Sequence, residues 1–90
     1  MAQAVVDPSE LRRFAQNLKH FNNDLLSRMR TIQSQLIALG DSWRDQEHEK
    51  FSEEFAETMR VIEKFMEASQ KHIPFLVRKA EKIEEYLQTR

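Results

Sequence analysis

Apolar residues recur every three or four positions along two long stretches of this chain, and one short stretch interrupts them. In the first, Leu11, Phe14, Leu18, Phe21, Leu25, Met29, Ile32, Leu36 and Leu39 trace a helical stripe. Two successive steps of four around Leu25 shift its phase, so the repeat is not a strict heptad. Leu26 and Ile37 widen it. In the second, Phe51, Phe55, Met59, Ile62, Phe65 or Met66, Ser69, Ile73, Leu76, Ala80, Ile83 and Leu87 keep the same period, broadened by Val61, Val77 and Tyr86. Between them lies Leu39-Gly40-Asp41-Ser42-Trp43-Arg44-Asp45, which holds the only glycine and the only tryptophan. The pattern predicts an all-α fold: a helix-turn-helix hairpin with helices over about 8–39 and 43–88.

The ends of the elements carry their own signals. Asp7-Pro8-Ser9-Glu10 reads as a helix start: Asp7 as N-cap, Pro8 at the first helical position, Glu10 completing a capping box. Residues 1–7 then form a loose N-terminal arm to a single 1–90 domain. Gly40 follows the last apolar position of the first stripe, where a left-handed residue is expected. Gly40, Asp41 and Ser42 make the turn, and Ser42 is expected to cap the second helix, with Asp45 three residues on. Asp45, Glu47 and Glu49 crowd that helix start, where the dipole favours negative charge. Pro74 removes a backbone donor and crowds the carbonyl of Gln70. The apolar period runs through it without a glycine or turn cluster, which predicts one helix with a kink near Pro74; the rival is a third helix over about 74–88.

Two helices touch along one seam, and these stripes are wider than one seam needs. Small domains already bury too little surface. The hairpin is therefore expected to need a companion, most simply another hairpin, giving a four-helix bundle. Leu18, Phe21, Leu25, Phe51, Phe55, Ile62 and Phe65 are the expected dimer core.

Composition narrows the function. The 90 residues are 40% hydrophobic and 32% charged, too rich in Phe, Leu and Ile for a disordered chain. No cysteine is present, so there is neither a disulfide framework nor a thiolate metal site. The net charge of −1 forces no basic face of the kind that binds nucleic acid. No apolar run reaches the roughly 18–20 residues of a membrane span. The first residues lack the basic and apolar regions of a cleaved signal peptide. Charge is also distributed unevenly: residues 8–39 carry five basic and two acidic side chains, and residues 45–67 carry three basic and eight acidic. Folding at the bend is expected to bring Arg28 and Arg30 near the acidic start of the second helix, each pair contributing roughly 0–1 kcal/mol.

Candidate chemistry is sparse. His48-Glu49-Lys50-Phe51-Ser52 begins like a zinc-protease helix, but Ser52 stands where the second histidine belongs, so it reads as a solvated charged face. His20 and His72 read as boundary histidines. Glutamate pairs such as Glu53-Glu54 and Glu84-Glu85 are solvated carboxylates without a pocket, not an acid/base pair. No cofactor, metal or catalytic site is expected, and the chain reads as a non-enzyme. Phe14, Phe21, Phe51, Phe55, Phe65 and Phe75 have the helical spacing of core packing. Trp43 stands apart, at the bend: it is either a plug closing the hairpin end or an aromatic presented to a partner, and the two are compatible.

The length, the two helices and the central tryptophan turn resemble the WXG family, the small Esx-like proteins of type VII secretion. The family pattern is Trp-X-Gly in the bend and an aromatic eight residues after the tryptophan. Here Trp43 is followed by Phe51 at that spacing and by Phe55 one turn later. The glycine position holds Asp45, which suits a first helical turn. Many secreted members carry a Tyr-X-X-X-Asp/Glu signal after the second helix; in Tyr86-Leu87-Gln88-Thr89-Arg90 the tyrosine is present and Arg90 replaces the acid. The chain then travels with a signal-bearing partner, uses a different recognition, or serves outside secretion.

The resemblance implies a homodimer or heterodimer of hairpins, cytoplasmic before export and secreted folded without a cleaved signal peptide. It also implies a type VII secretion ATPase or a larger toxin substrate as further partner, with Trp43, Asp45 and Tyr86 as the partner surface. The alternative reading is a structural or regulatory helical module that is not exported. Genomic neighbourhood, a type VII ATPase or a toxin with a similar hairpin, discriminates the two.

Overall fold

The structure, a computed structural model, describes residues 6–88. Most of the expected N-terminal arm, and Arg90, lie outside the described residues. Among the described residues two helices make up the fold: α1, Pro8–Leu39, and α2, Gln46–Gln88. They pack antiparallel as a hairpin measuring 68 × 23 × 17 Å. Its radius of gyration is 20.3 Å, against about 12 Å for a compact domain of this length. The hairpin is thus an open rod, and α2, at about 1.5 Å per residue, spans nearly its whole length.

Local chemistry sets the helix ends. Asp7 is extended and its carboxylate accepts from the Ser9 N–H at 2.9 Å and from the Ser9 hydroxyl at 2.8 Å. Those bonds hold the Asp7 carboxyl below the usual carboxylate range, the hydroxyl's contribution being the largest. Pro8 occupies the first turn, where its missing N–H has no cost. Pro74 lies inside α2, which runs through it unbroken, so no third helix forms. Its exposed position, away from the seam, leaves the missing donor on the solvent side.

The bend differs from expectation in two ways. Gly40 has φ −62° and ψ −17°, ordinary right-handed backbone, so no left-handed residue ends α1. Instead the Ser42 and Trp43 N–H groups return to the Leu39 carbonyl at 3.1 and 2.8 Å. The chain is still turning there, so α2 starts at Gln46 rather than near 43 and Ser42 does not cap it. The Ser42 hydroxyl donates backward to the Leu39 carbonyl at 3.4 Å. Asp45 caps α2, its Oδ1 accepting from the His48 N–H at 3.1 Å.

The seam between the helices is narrow. Its buried residues are Ala15, Asn22 and Met29 from α1, and Met59, Met66, Ser69 and Ala80 from α2. Leu25, Leu26, Phe55 and Ile62 pack around the three methionines. At its centre Asn22 Nδ2 donates to Ser69 Oγ at 2.9 Å, and the Ser69 hydroxyl donates to Asn22 Oδ1 at 3.1 Å. Small, polar and thioether residues thus make the closest helix contact. Of the six phenylalanines only Phe55 is half-buried; the other five are exposed.

Candidate interaction surface

At the bend Trp43 is half-buried. Its ring meets His48 edge to face, with centroids 4.9 Å apart, and Phe51 at 6.1 Å. Phe51 stacks in turn on Phe55 at 5.9 Å. A ladder of aromatic rings therefore runs from the bend into the first turns of α2, with Trp43 and Phe55 half-buried and Phe51 exposed. Trp43 is thus packed at the bend and partly accessible to solvent. His48 is not on a solvated charged face: its Nε2 is buried and has no hydrogen-bond partner among the described residues. A side chain on Gly40 would sit 3.1 Å from the Ile37 carbonyl and 3.5 Å from the His48 ring. A side chain there would be slightly tight against that carbonyl and in ordinary contact with the ring, and the backbone angle itself demands no glycine. Arg44 Nε closes the bend by donating to the Gly40 carbonyl at 3.2 Å.

Away from the bend, exposed apolar residues collect on one flank. Phe51, Phe65 and Tyr86 share a seven-residue row on α2, and Val61, Ala68 and Phe75 form the row beside it. Phe14 and Phe21 form the matching row of α1. Antiparallel packing lays these rows on the same side, and Phe21 meets Phe65 edge to face at 6.4 Å. An open groove of about 460 Å³ lies on this flank between Phe14, Leu18, Phe65, Ala68, His72 and Phe75. Val61 and Phe75 are each 61% exposed. On this flank Glu47, Lys50, Glu54 and Glu57 lie in the bend half of α2, and Lys79 and Lys82 in its distal half.

The other flank carries exposed Ile37 near the bend and an ion pair at the open end. Arg12 donates to Glu84 through Nε at 3.0 Å and Nη2 at 2.7 Å, tying the open end of the hairpin. That hydrogen bond holds the Glu84 carboxyl below its ordinary range and raises the Arg12 guanidinium. The cross-helix ion pair thus lies far from the bend; among the described residues none joins Arg28 or Arg30 to α2. Tyr86 is 69% exposed near the end of α2, about 60 Å along the helix from Gln46. Trp43 and Tyr86 therefore sit at opposite ends of one hairpin. Asp45, between Trp43 and α2, has its carboxylate engaged as the helix cap. Neither described helix is long and apolar enough to cross a membrane.

Two long helices, a tryptophan-centred bend and one uncovered apolar flank define a class of small helical-hairpin proteins. The sequence pattern of WXG100, proteins of 100 residues with WXG, matches residues 3–86, and the chain belongs to that family. The fold is similar to that of the secreted protein EsxB from Bacillus anthracis strain Sterne. A selenomethionine crystal structure of EsxB superposes with a TM-score of 0.79 at 23% identity, covering 96% of this chain and 98% of that one. The wild-type protein in another crystal form gives 0.77 at 24% identity, covering 91% and 94%. A point variant of it gives 0.78 at 24%, covering 93% and 97%. No curated protein is a significant match in sequence.

Proposed function

We propose that this protein is a small Esx-type substrate or adaptor of a type VII secretion system, acting by pairing of hairpins and by protein binding. The observation that carries the reading is the tryptophan bend of a WXG100 hairpin beside an apolar flank that its own two helices leave uncovered. Covering a half-exposed phenylalanine contributes on the order of 1 kcal/mol. Five such rings on each of two copies contribute about 10 kcal/mol gross, within the roughly 4–15 kcal/mol that association costs. Pairing is therefore feasible but marginal on apolar contact alone.

Leu18, Phe21, Leu25, Phe51, Phe55, Ile62 and Phe65 are the proposed dimer core; all are half-buried or exposed in the single hairpin. Trp43 and the end of α2 near Tyr86 are the proposed recognition surface for an export ATPase or a larger toxin. Because these lie at opposite ends of the rod, one continuous surface requires two hairpins stacked antiparallel. The test is twofold. Sedimentation at micromolar concentration is expected to give a dimer mass, and Trp43→Ala is expected to keep its helical circular dichroism while reducing export into the culture supernatant. A compact monomer, or export unaffected by the substitution, overturns the reading.

A further inference from the structure

We propose that the outward side of α2, in its distal half, is a docking face for an acidic amphipathic helix of another protein. Rows of residues seven apart run nearly parallel to a helix axis, and two neighbouring rows of α2 turn away from the seam. One holds Val61, Ala68, Phe75 and Lys82; the other holds Lys64, Lys71 and Arg78. All seven residues are exposed. Lys79 joins Phe75, Arg78 and Lys82 around an open hollow of about 350 Å³. Among the described residues none of these five cations has an ion-pair partner within the hairpin. Neither row carries a carboxylate from Val61 to Lys82, a length of about 32 Å at ~1.5 Å per residue. Glu54 and Glu57 continue the two rows toward the bend, and Glu85 continues the second beyond Arg78.

Those boundaries select the partner. A bilayer surface or a nucleic-acid duplex extends past both ends of the basic stretch and meets the carboxylates there, which repel its phosphates. The apolar row is one side chain wide with cations beside it, too narrow for the broad apolar face that an interfacial helix buries in a bilayer. A helix of about six turns fits the basic stretch end to end. With apolar residues and carboxylates each repeated every seven positions, its apolar row lies over Val61, Ala68 and Phe75, and small Ala68 leaves room for a larger side chain. Its carboxylates then reach Lys64, Lys71 and Arg78. Phe75 also borders the groove on the flank. None of these positions belongs to the proposed dimer core, so the docking face does not depend on pairing of hairpins.

The probe is a synthetic helical peptide of about six turns with leucine and glutamate each at seven-residue spacing. Its control is a peptide of the same composition in shuffled order. Binding to the full-length chain is read by fluorescence anisotropy at about 0.15 M salt. The patterned peptide is expected to bind at least about tenfold more tightly than the shuffled one. Lys71→Glu/Arg78→Glu is expected to weaken that binding by a similar factor, and a peptide with lysine in place of glutamate to recover binding to this variant. Arg28→Glu/Arg30→Glu makes the same charge change on α1, off this face, and is expected to leave binding unchanged. All four positions are exposed, so helical circular dichroism is expected to match the wild type. If the shuffled peptide binds equally well, or the Arg28/Arg30 variant loses as much, the face is overturned as a specific site. If phosphatidylglycerol vesicles or a DNA duplex bind the chain more tightly than the patterned peptide, and lose that binding with Lys71→Glu/Arg78→Glu, a helix is overturned as the occupant. A patterned peptide that does not bind overturns the proposal outright.

Discussion

His48 sits in the bend with its Nε2 buried and unpartnered, its ring edge against Trp43 and its Cε1 close to where a Gly40 side chain would be. A buried acceptor or donor without a partner costs about 1–3 kcal/mol, and an edge-to-face aromatic pair returns about 0.5–1.5 kcal/mol. His48→Phe keeps the ring contact and removes the nitrogen. It is expected to raise stability by about 1 kcal/mol, measured as a higher midpoint in thermal unfolding; an unchanged or lower midpoint shows that the imidazole is needed. The sequence does not mark this residue. His48 lies between Glu47 and Glu49 in a charged run, and its burial comes from contacts at the bend, with Trp43 and beside Gly40. Gly40 was visible in the sequence, but no local rule relates its spacing to the His48 ring that lies beside it.

At the scale of the elements, both helices and their hairpin were legible because three-four apolar spacing persists through each. The face each helix uses was not. Spacing alone merges the seam with the outer flank: the stripes include Met29, Met59, Met66, Ser69 and Ala80 of the seam together with exposed Phe21 and Phe65, and they pass over buried Ala15 and Asn22. The start of α2 was ambiguous for a physical reason: Ser42 and Asp45 can both cap, and the extra turn closed on the Leu39 carbonyl decides for Asp45. Asn22 and Ser69 fix the register of the seam. Asn22→Leu alone strands the Ser69 hydroxyl and is expected to cost about 1–3 kcal/mol, whereas Asn22→Leu with Ser69→Ala recovers most of that loss. Urea unfolding of the single and double variants measures the coupling; strictly additive effects show that the pair does not act as a unit. The open end has its own dependence on acid. Glu84 has a lowered pKa in the hairpin, so its contribution is fully present above the ordinary carboxyl value of about 4 and is lost as pH falls from there through the lowered value that Arg12 imposes. Amide exchange near Arg12 and Glu84 is expected to accelerate on acidification before exchange at the bend does, and Glu84→Gln is expected to remove that difference.

As a whole molecule the protein is a thin rod with hydrophobic residues on two faces, of which one is used internally. The excess of apolar stripe over seam was readable from the chain, and it led to the expectation of a companion. Which cations share the outward side of α2 emerged only once the helices were placed. The seam has a further consequence. Met29, Met59 and Met66 are its buried centre, and each has a thioether that peroxide converts to a polar sulfoxide. Placing that dipole between the helices opposes their contact, so the hairpin's closure is coupled to oxidant exposure. Mild peroxide treatment is expected to lower the unfolding midpoint in step with sulfoxide formed at these three positions by mass spectrometry. Methionine sulfoxide reductase is then expected to restore it, and replacement of the three by leucine to make the rod indifferent to its redox surroundings.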